Sequence, residues 1–130
     1  MATSVLFCLI AMYQLIFVNP LSPEQIGHRV AQEIALNHNK QLAVEFTGNN
    51  LTYLRNVMHK LDFNLVTPKK MALANFMIGG ARYCSIQGQL AAQIKLIDEQ
   101  GRRYTLYQTH LSDTLKLLPT TEYITNGLPI

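Results

Sequence analysis

Arg82 and Cys84 stand two residues apart in the stretch GGARYCSIQ (residues 79–87), and their types could do chemistry together. The thiolate is the reactive form of cysteine, and a nearby guanidinium lowers a thiol pKa, so the two are the candidate redox or interaction residues of this chain. Strand alternation is taken to set Arg82 off the face that carries Cys84, which leaves Cys84 as a small packed strand residue. Cys8 is the only other cysteine, and it lies in an uncharged apolar stretch, so no disulfide joins the two in this reading. Metal binding is the second chemistry these types permit, because imidazole, thiolate and thioether suit zinc or copper. The candidates are His28, His38, His59, His110, Met58, Met71 and Met77 with Cys84. His28 and His38 sit too far apart on one predicted helix to chelate together, so such a site would have to be assembled from two helices plus Cys84. The eight carboxylates (Glu24, Glu33, Glu45, Asp62, Asp98, Glu99, Asp113 and Glu122) form no catalytic pair. P-loop, G-x-G-x-x-G, H-E-x-x-H, C-x-x-C and G-x-S-x-G motifs are absent, so neither an enzyme nor a cofactor is expected.

The elements that must position these residues begin with a hydrophobic segment. MATSVLFCLIAMYQLIFV (residues 1–18) has no charged side chain. As a helix it would be roughly 27 Å long, near the roughly 30 Å of a bilayer's hydrocarbon core. It lacks the basic n-region and small-x-small cleavage site of a signal peptide. A transmembrane anchor over residues 1–19, ended by Asn19-Pro20 and contacting membrane lipid, is therefore expected. The first basic residue is Arg29, and positive charge alone would put the following domain in the cytoplasm. The net charge of +3 is scattered along the chain and not gathered on a stripe with aromatics, which speaks against nucleic acid as a partner.

Residues 20–130 read as a small α+β domain. Ser22-Pro23-Glu24-Gln25 starts a helix that Asn37, Asn39 and Lys40 close. QLAVEFTG (residues 41–48) alternates and predicts a strand with Leu42, Val44 and Phe46 on one side. NNLTYLRNVMHKLD predicts a second helix capped by Asn49 or Asn50, with Leu51, Leu54, Val57, Met58 and Leu61 on one face. FNLV before Thr67-Pro68 predicts another short strand. From about Leu73 the pattern is a sheet: a long strand with a bulge at Gly79-Gly80, a tight turn at Gly88, a strand QLAAQIKLI, a DEQG loop and a return strand RRYTLYQT. In QLAAQIKLI, Leu90, Ala92, Ile94 and Leu96 share one face and Gln93 and Lys95 the other. Residues 112–118 predict a helical turn. The expected fold class is thus α+β: an N-terminal transmembrane helix, then a small domain with two helices packed on an antiparallel β-meander, both covering one sheet face.

The stretches GGAR (Gly79, Gly80, Arg82), AAQIKL (Ala91 to Leu96) and GRRYTLY (Gly101 to Tyr107) together resemble the extracytoplasmic domain of bacterial transmembrane anti-sigma factors and related membrane proteins. The likeness extends more loosely through LRNVMHKLDFNLVTP (residues 54–68) and rests on sheet-packing patterns without catalytic content. It implies a single-pass inner-membrane protein with its domain on the periplasmic side, which overrides the charge argument. It also implies a sensor domain that works by contact with a protein or a small-molecule signal. In such proteins a cytoplasmic segment, often with a His/Cys zinc motif, holds the sigma factor. In this reading no residues precede the membrane helix for that purpose, and the sequence stops at NGLPI where one more apolar strand is expected, so the expectation is either a fragment, with the domain C-terminally incomplete, or a stand-alone sensory or accessory remnant. The alternative is a periplasmic metal- or redox-responsive binding protein using Cys84 with histidines or methionines.

Overall fold

The structure, a computed structural model, describes residues 11–12, 20–69, 75–119, 124–125 and 128–129. The predicted transmembrane anchor falls outside the described residues apart from Ala11 and Met12. Among the described residues no helix is long and apolar enough to cross a membrane.

Helix α1 spans Pro23–Asn39 and starts as its sequence dictates. The Ser22 hydroxyl accepts from the Gln25 amide at 3.2 Å, and the Gln25 side chain accepts from the Ser22 amide at 2.9 Å, a reciprocal capping box worth about 1 kcal/mol. Helix α2 is Leu51–Val57, capped by Asn50, whose side chain accepts from the Tyr53 amide at 2.8 Å. It stops one turn before the predicted end, with Met58 as its C-cap. Three strands follow: β1 (Met77–Ile86), β2 (Gln89–Ile97) and β3 (Arg103–Thr109), in the order β1-β2-β3 with antiparallel pairing throughout. A 3₁₀ turn at Leu115–Leu117 realises the predicted helical turn. A minimal hairpin, β4 (Ile124–Thr125) and β5 (Leu128–Pro129), comes last, with β4 against α1.

The two-residue turn Gln87-Gly88 joins β1 to β2 with φ of 49° and 75°, the doubly left-handed backbone of a hairpin turn whose twist matches its strands. Between β2 and β3, the Asp98 amide donates to the Arg102 carbonyl at 3.1 Å and the Gly101 amide to the Asp98 carbonyl at 3.0 Å. Gly101 has φ 77°, so this loop is a turn followed by a glycine bulge. The Asp98 carboxylate fills it. Desolvation pushes Asp98 up, but the Arg102 amide, the Arg102 guanidinium and the Gln100 amide outweigh it and hold the carboxyl below its usual value.

The sheet is the middle layer, which corrects the expectation that both helices cover one face. Ala92, Ile94 and Leu96 of β2 and Ala81 of β1 pack with Leu51, Leu54, Met58 and Leu65 on the α2 side. Ile94 and Leu54 are wholly buried there, and each such side chain contributes about 1.5–3 kcal/mol. The opposite face meets α1. There Gln93 Nε2 donates to the Asn37 carbonyl (3.5 Å) and to the Tyr107 hydroxyl (2.8 Å), the Tyr107 hydroxyl to the Ile34 carbonyl (3.5 Å), and the Gln87 amide to Glu33 (2.9 Å). Gln93, assigned from alternation to the polar face, is therefore only 4% exposed. Alternation reports which face a residue is on, and a helix lies over this one.

Two predicted strands are not formed. Of residues 41–48 only Phe46 pairs, in a single bridge to Ala81. FNLV is irregular, and its Val66 is held by a side chain: Gln108 Oε1 accepts from the Val66 amide at 2.8 Å and Gln108 Nε2 donates to its carbonyl at 2.7 Å. One amide side chain thus satisfies the groups that a neighbouring strand would have paired. The long strand starts at Met77; Leu73 and Ala74 lie outside the described residues. The predicted bulge is present as a register shift between Ile78 and Gly80.

Candidate functional site

Arg82 and Cys84 lie on the same face of β1, since their Cα partners are Gln93 and Ala91, two apart on β2. Period-two geometry requires this of residues i and i+2, which corrects the reading that put them on different faces. Their side chains nevertheless part. Arg82 reaches past the outer edge of β1, donating from Nη1 to the Ala43 carbonyl (3.0 Å) and from Nε to the Tyr83 carbonyl (3.2 Å), with Nη2 3.4 Å from Glu45. Glu45 in turn accepts from the Tyr83 amide at 3.5 Å. Arg82 is a clamp that ties residues 43–46 to the sheet, which explains why that segment lies along β1 without a full ladder.

Cys84 is half-buried and free. It lines a depression of about 300 Å³ together with Arg82, Glu33, Asn37, Lys40, Leu42 and Gln93. Burial is the main reason its thiol is pushed up to about 11; Arg82 works against this, while Glu33 and Glu45 add to it. Tyr107 behind it is pushed up to about 12, first by burial and then by Cys84, with the Gln93 hydrogen bond opposing. Both shifts favour the protonated forms at neutral pH, which holds the Cys84 thiol in its less reactive state. Thiolate is the species that alkylates. In a Cys8→Ser background, Cys84 should therefore react with iodoacetamide at pH 8 on the order of 100-fold more slowly than in the denatured chain. Equal rates in the folded and denatured protein would remove this account.

The structure does not bring the candidate metal ligands together. His38 Nδ1 is 2.7 Å from Thr105 Oγ1, His110 is 3.9 Å from Asp62, and His28 and His59 lie on the exposed sides of their segments. Met58 is core, Met77 is exposed, and Met71 lies outside the described residues. Among the described residues no group of three His, Cys, Asp or Glu is placed to hold a metal ion.

A different surface stands out, which motif reading missed because irregular segments build it. An apolar groove of about 610 Å³ runs between Val30 and Ile34 of α1, Phe63 and Val66 of the irregular segment, Tyr107 at the end of β3, and Leu111, Leu115 and Leu118 beyond it. The edge of β3 borders this groove. Asp98 and Arg102 form a hydrogen-bonded pair at the loop, and pairing alternates along antiparallel strands. Tyr104, Leu106 and Gln108 therefore bond to β2, whereas the backbone groups of Arg103, Thr105, Tyr107 and Thr109 point away from it. The same alternation on β1 sends Ala81 and Tyr83 outward, where Phe46 and Glu45 meet them. On β3, among the described residues, no backbone group meets the outward row. Comparisons with protein-family models, with curated proteins and with solved structures gave no match for this chain.

Proposed function

We propose that this chain is a membrane-anchored sensor or interaction domain of anti-sigma-factor type, exposed outside the cytoplasm and acting by contact without turnover. The observation that carries the reading is the outward row of β3 backbone groups beside an apolar groove. An open edge can accept an added strand through main-chain hydrogen bonds, while a groove beside it selects side chains. The uncharged apolar residues 1–18 support an anchor. The sheet-packing stretches around Gly80, Ala91–Leu96 and Gly101–Tyr107 support the anti-sigma-type placement at the bacterial inner membrane.

Topology is the first test. With a tag after Ile130, the full chain in intact spheroplasts should lose the tag to protease added outside, and a cytoplasmic marker should survive. Protection of the tag until the membrane is lysed would place the domain inside and overturn the reading.

A further inference from the structure

A cationic corner lies on the α1 face of the sheet, at the opposite end from the apolar groove. Lys95 of β2 stands directly across from Thr105 of β3, and Arg103 is the diagonal neighbour of Lys95 on the same face. Directly opposite residues have Cβ atoms about 5 Å apart and diagonal ones about 7 Å, within reach of long side chains. The His38 ring descends from the last turn of α1 onto Thr105, with Nδ1 and Oγ1 2.7 Å apart. These residues line a recess of about 220 Å³ with Gln93 and Gln41.

Among the described residues, neither Lys95 nor Arg103 is in an ion pair. The nearest acids in sequence are engaged elsewhere: Asp98 holds Arg102 and the loop amides, and Glu99 accepts from Asn75. Glu33, five residues before His38 on α1, is engaged by Gln87, accepting from its amide and its side chain. Two like charges held on one face without a counter-charge make a standing attraction for an anion. A guanidinium fork, an ammonium and a hydroxyl-imidazole pair line this one recess and offer several donors to it. That suits a multi-oxygen anion better than a single carboxylate.

We propose that the recess between the end of α1 and the β2–β3 hairpin binds a phosphate-type oxyanion through Lys95, Arg103 and the Thr105–His38 pair. The proposal rests on side chains of β2, β3 and α1 and not on the outward backbone groups that Arg103 and Thr105 present at the β3 edge, and it needs no protein partner. The phosphate group can belong to a soluble ion or to a lipid headgroup, and the experiment separates the two.

The full chain in an uncharged detergent, labelled for NMR, is titrated with inorganic phosphate. The expected result is saturable shifts at the Lys95, Arg103 and Thr105 amides. Lys95→Gln and Arg103→Gln should each weaken binding about tenfold, the size of one charge-assisted hydrogen bond. Lys116→Gln, on a remote exposed cation, should leave it unchanged. Both site residues are partly or wholly solvent-facing, so the variants should keep the native spectrum. Vesicles containing phosphatidylglycerol, but not phosphatidylcholine alone, should broaden the same amides if the headgroup is the source. Shifts with free phosphate alone indicate a soluble ligand. Absence of saturable shifts with phosphate and with both vesicles overturns the proposal, as does equal weakening by Lys116→Gln.

Discussion

Replacing Gly80 with alanine should destabilise the domain by about 3 kcal/mol, whereas Gly79→Ala next to it should change stability by less than about 1 kcal/mol. Gly80 sits at φ 122°, a backbone region that side-chain-bearing residues rarely occupy. A Cβ built there would lie 2.7 Å from the Phe46 carbonyl oxygen and 3.1 Å from both Val44 methyls. The carbonyl cannot move without breaking the Phe46–Ala81 bridge, in which the Ala81 amide donates to Phe46 and the Phe46 amide to Ala81, both at 2.9 Å. Alanine must therefore either strain the bulge or release residues 43–46 from β1. At Gly79 the nearest atom to an added Cβ is 3.7 Å away, ordinary contact distance. Urea unfolding of both variants checks this, and limited proteolysis should show earlier cleavage near residues 43–46 in Gly80→Ala alone. Similar midpoints for the two variants would show that the bulge is not where the chain is constrained.

Leu54→Ala should cost about 3 kcal/mol, a large fraction of the 5–15 kcal/mol of a typical domain. Leu54 has no exposed surface and packs within the cluster of Met58, Leu65, Ile94 and Leu96. Truncation removes burial and leaves a cavity that β2, held on both sides, cannot close. Leu36→Ala on α1 is the comparison: Leu36 is 62% exposed, so the change should stay within about 0.5 kcal/mol. A small Leu54 effect would mean that α2 is not seated on the sheet as described.

The helix start at Ser22, the Gly79-Gly80 bulge and both hairpin turns could be read from sequence because each depends on local chemistry: a capping hydroxyl, a proline at the first helical position, glycines where φ is positive. The two missing strands could not. Residues 41–48 and FNLV have the right alternation, but beyond the bridge to Ala81 the Ala43 carbonyl is met by the Arg82 side chain, the Tyr83 amide of β1 by the Glu45 side chain and the Val66 backbone by Gln108, and a side chain that stands in for a strand leaves no periodic trace. The layer order failed for a related reason. Gln93 looks solvent-facing from alternation, yet its amide is satisfied by Tyr107 and Asn37, so a polar residue marks a helix-covered face. At the candidate site, the nearness of Arg82 to Cys84 was visible, but the direction of the guanidinium was not, and burial at the thiol overrides it. The groove and the cationic corner join distant segments (α1 with residues 63–66, α1 with the β2–β3 hairpin), and no motif spans those distances.

The claim that the β3 edge and its groove form the contact surface is tested most directly by photo-crosslinking in the native membrane. A photoreactive residue at position 111, where Leu111 is 59% exposed in the groove, should yield one discrete adduct. Thr109→Pro removes an outward-pointing amide, while Thr109→Val keeps it and also loses the hydroxyl bond to the Leu90 carbonyl. The account predicts that the adduct disappears with Thr109→Pro and persists with Thr109→Val. An adduct that survives the proline, or no adduct in the unsubstituted chain, would contradict it.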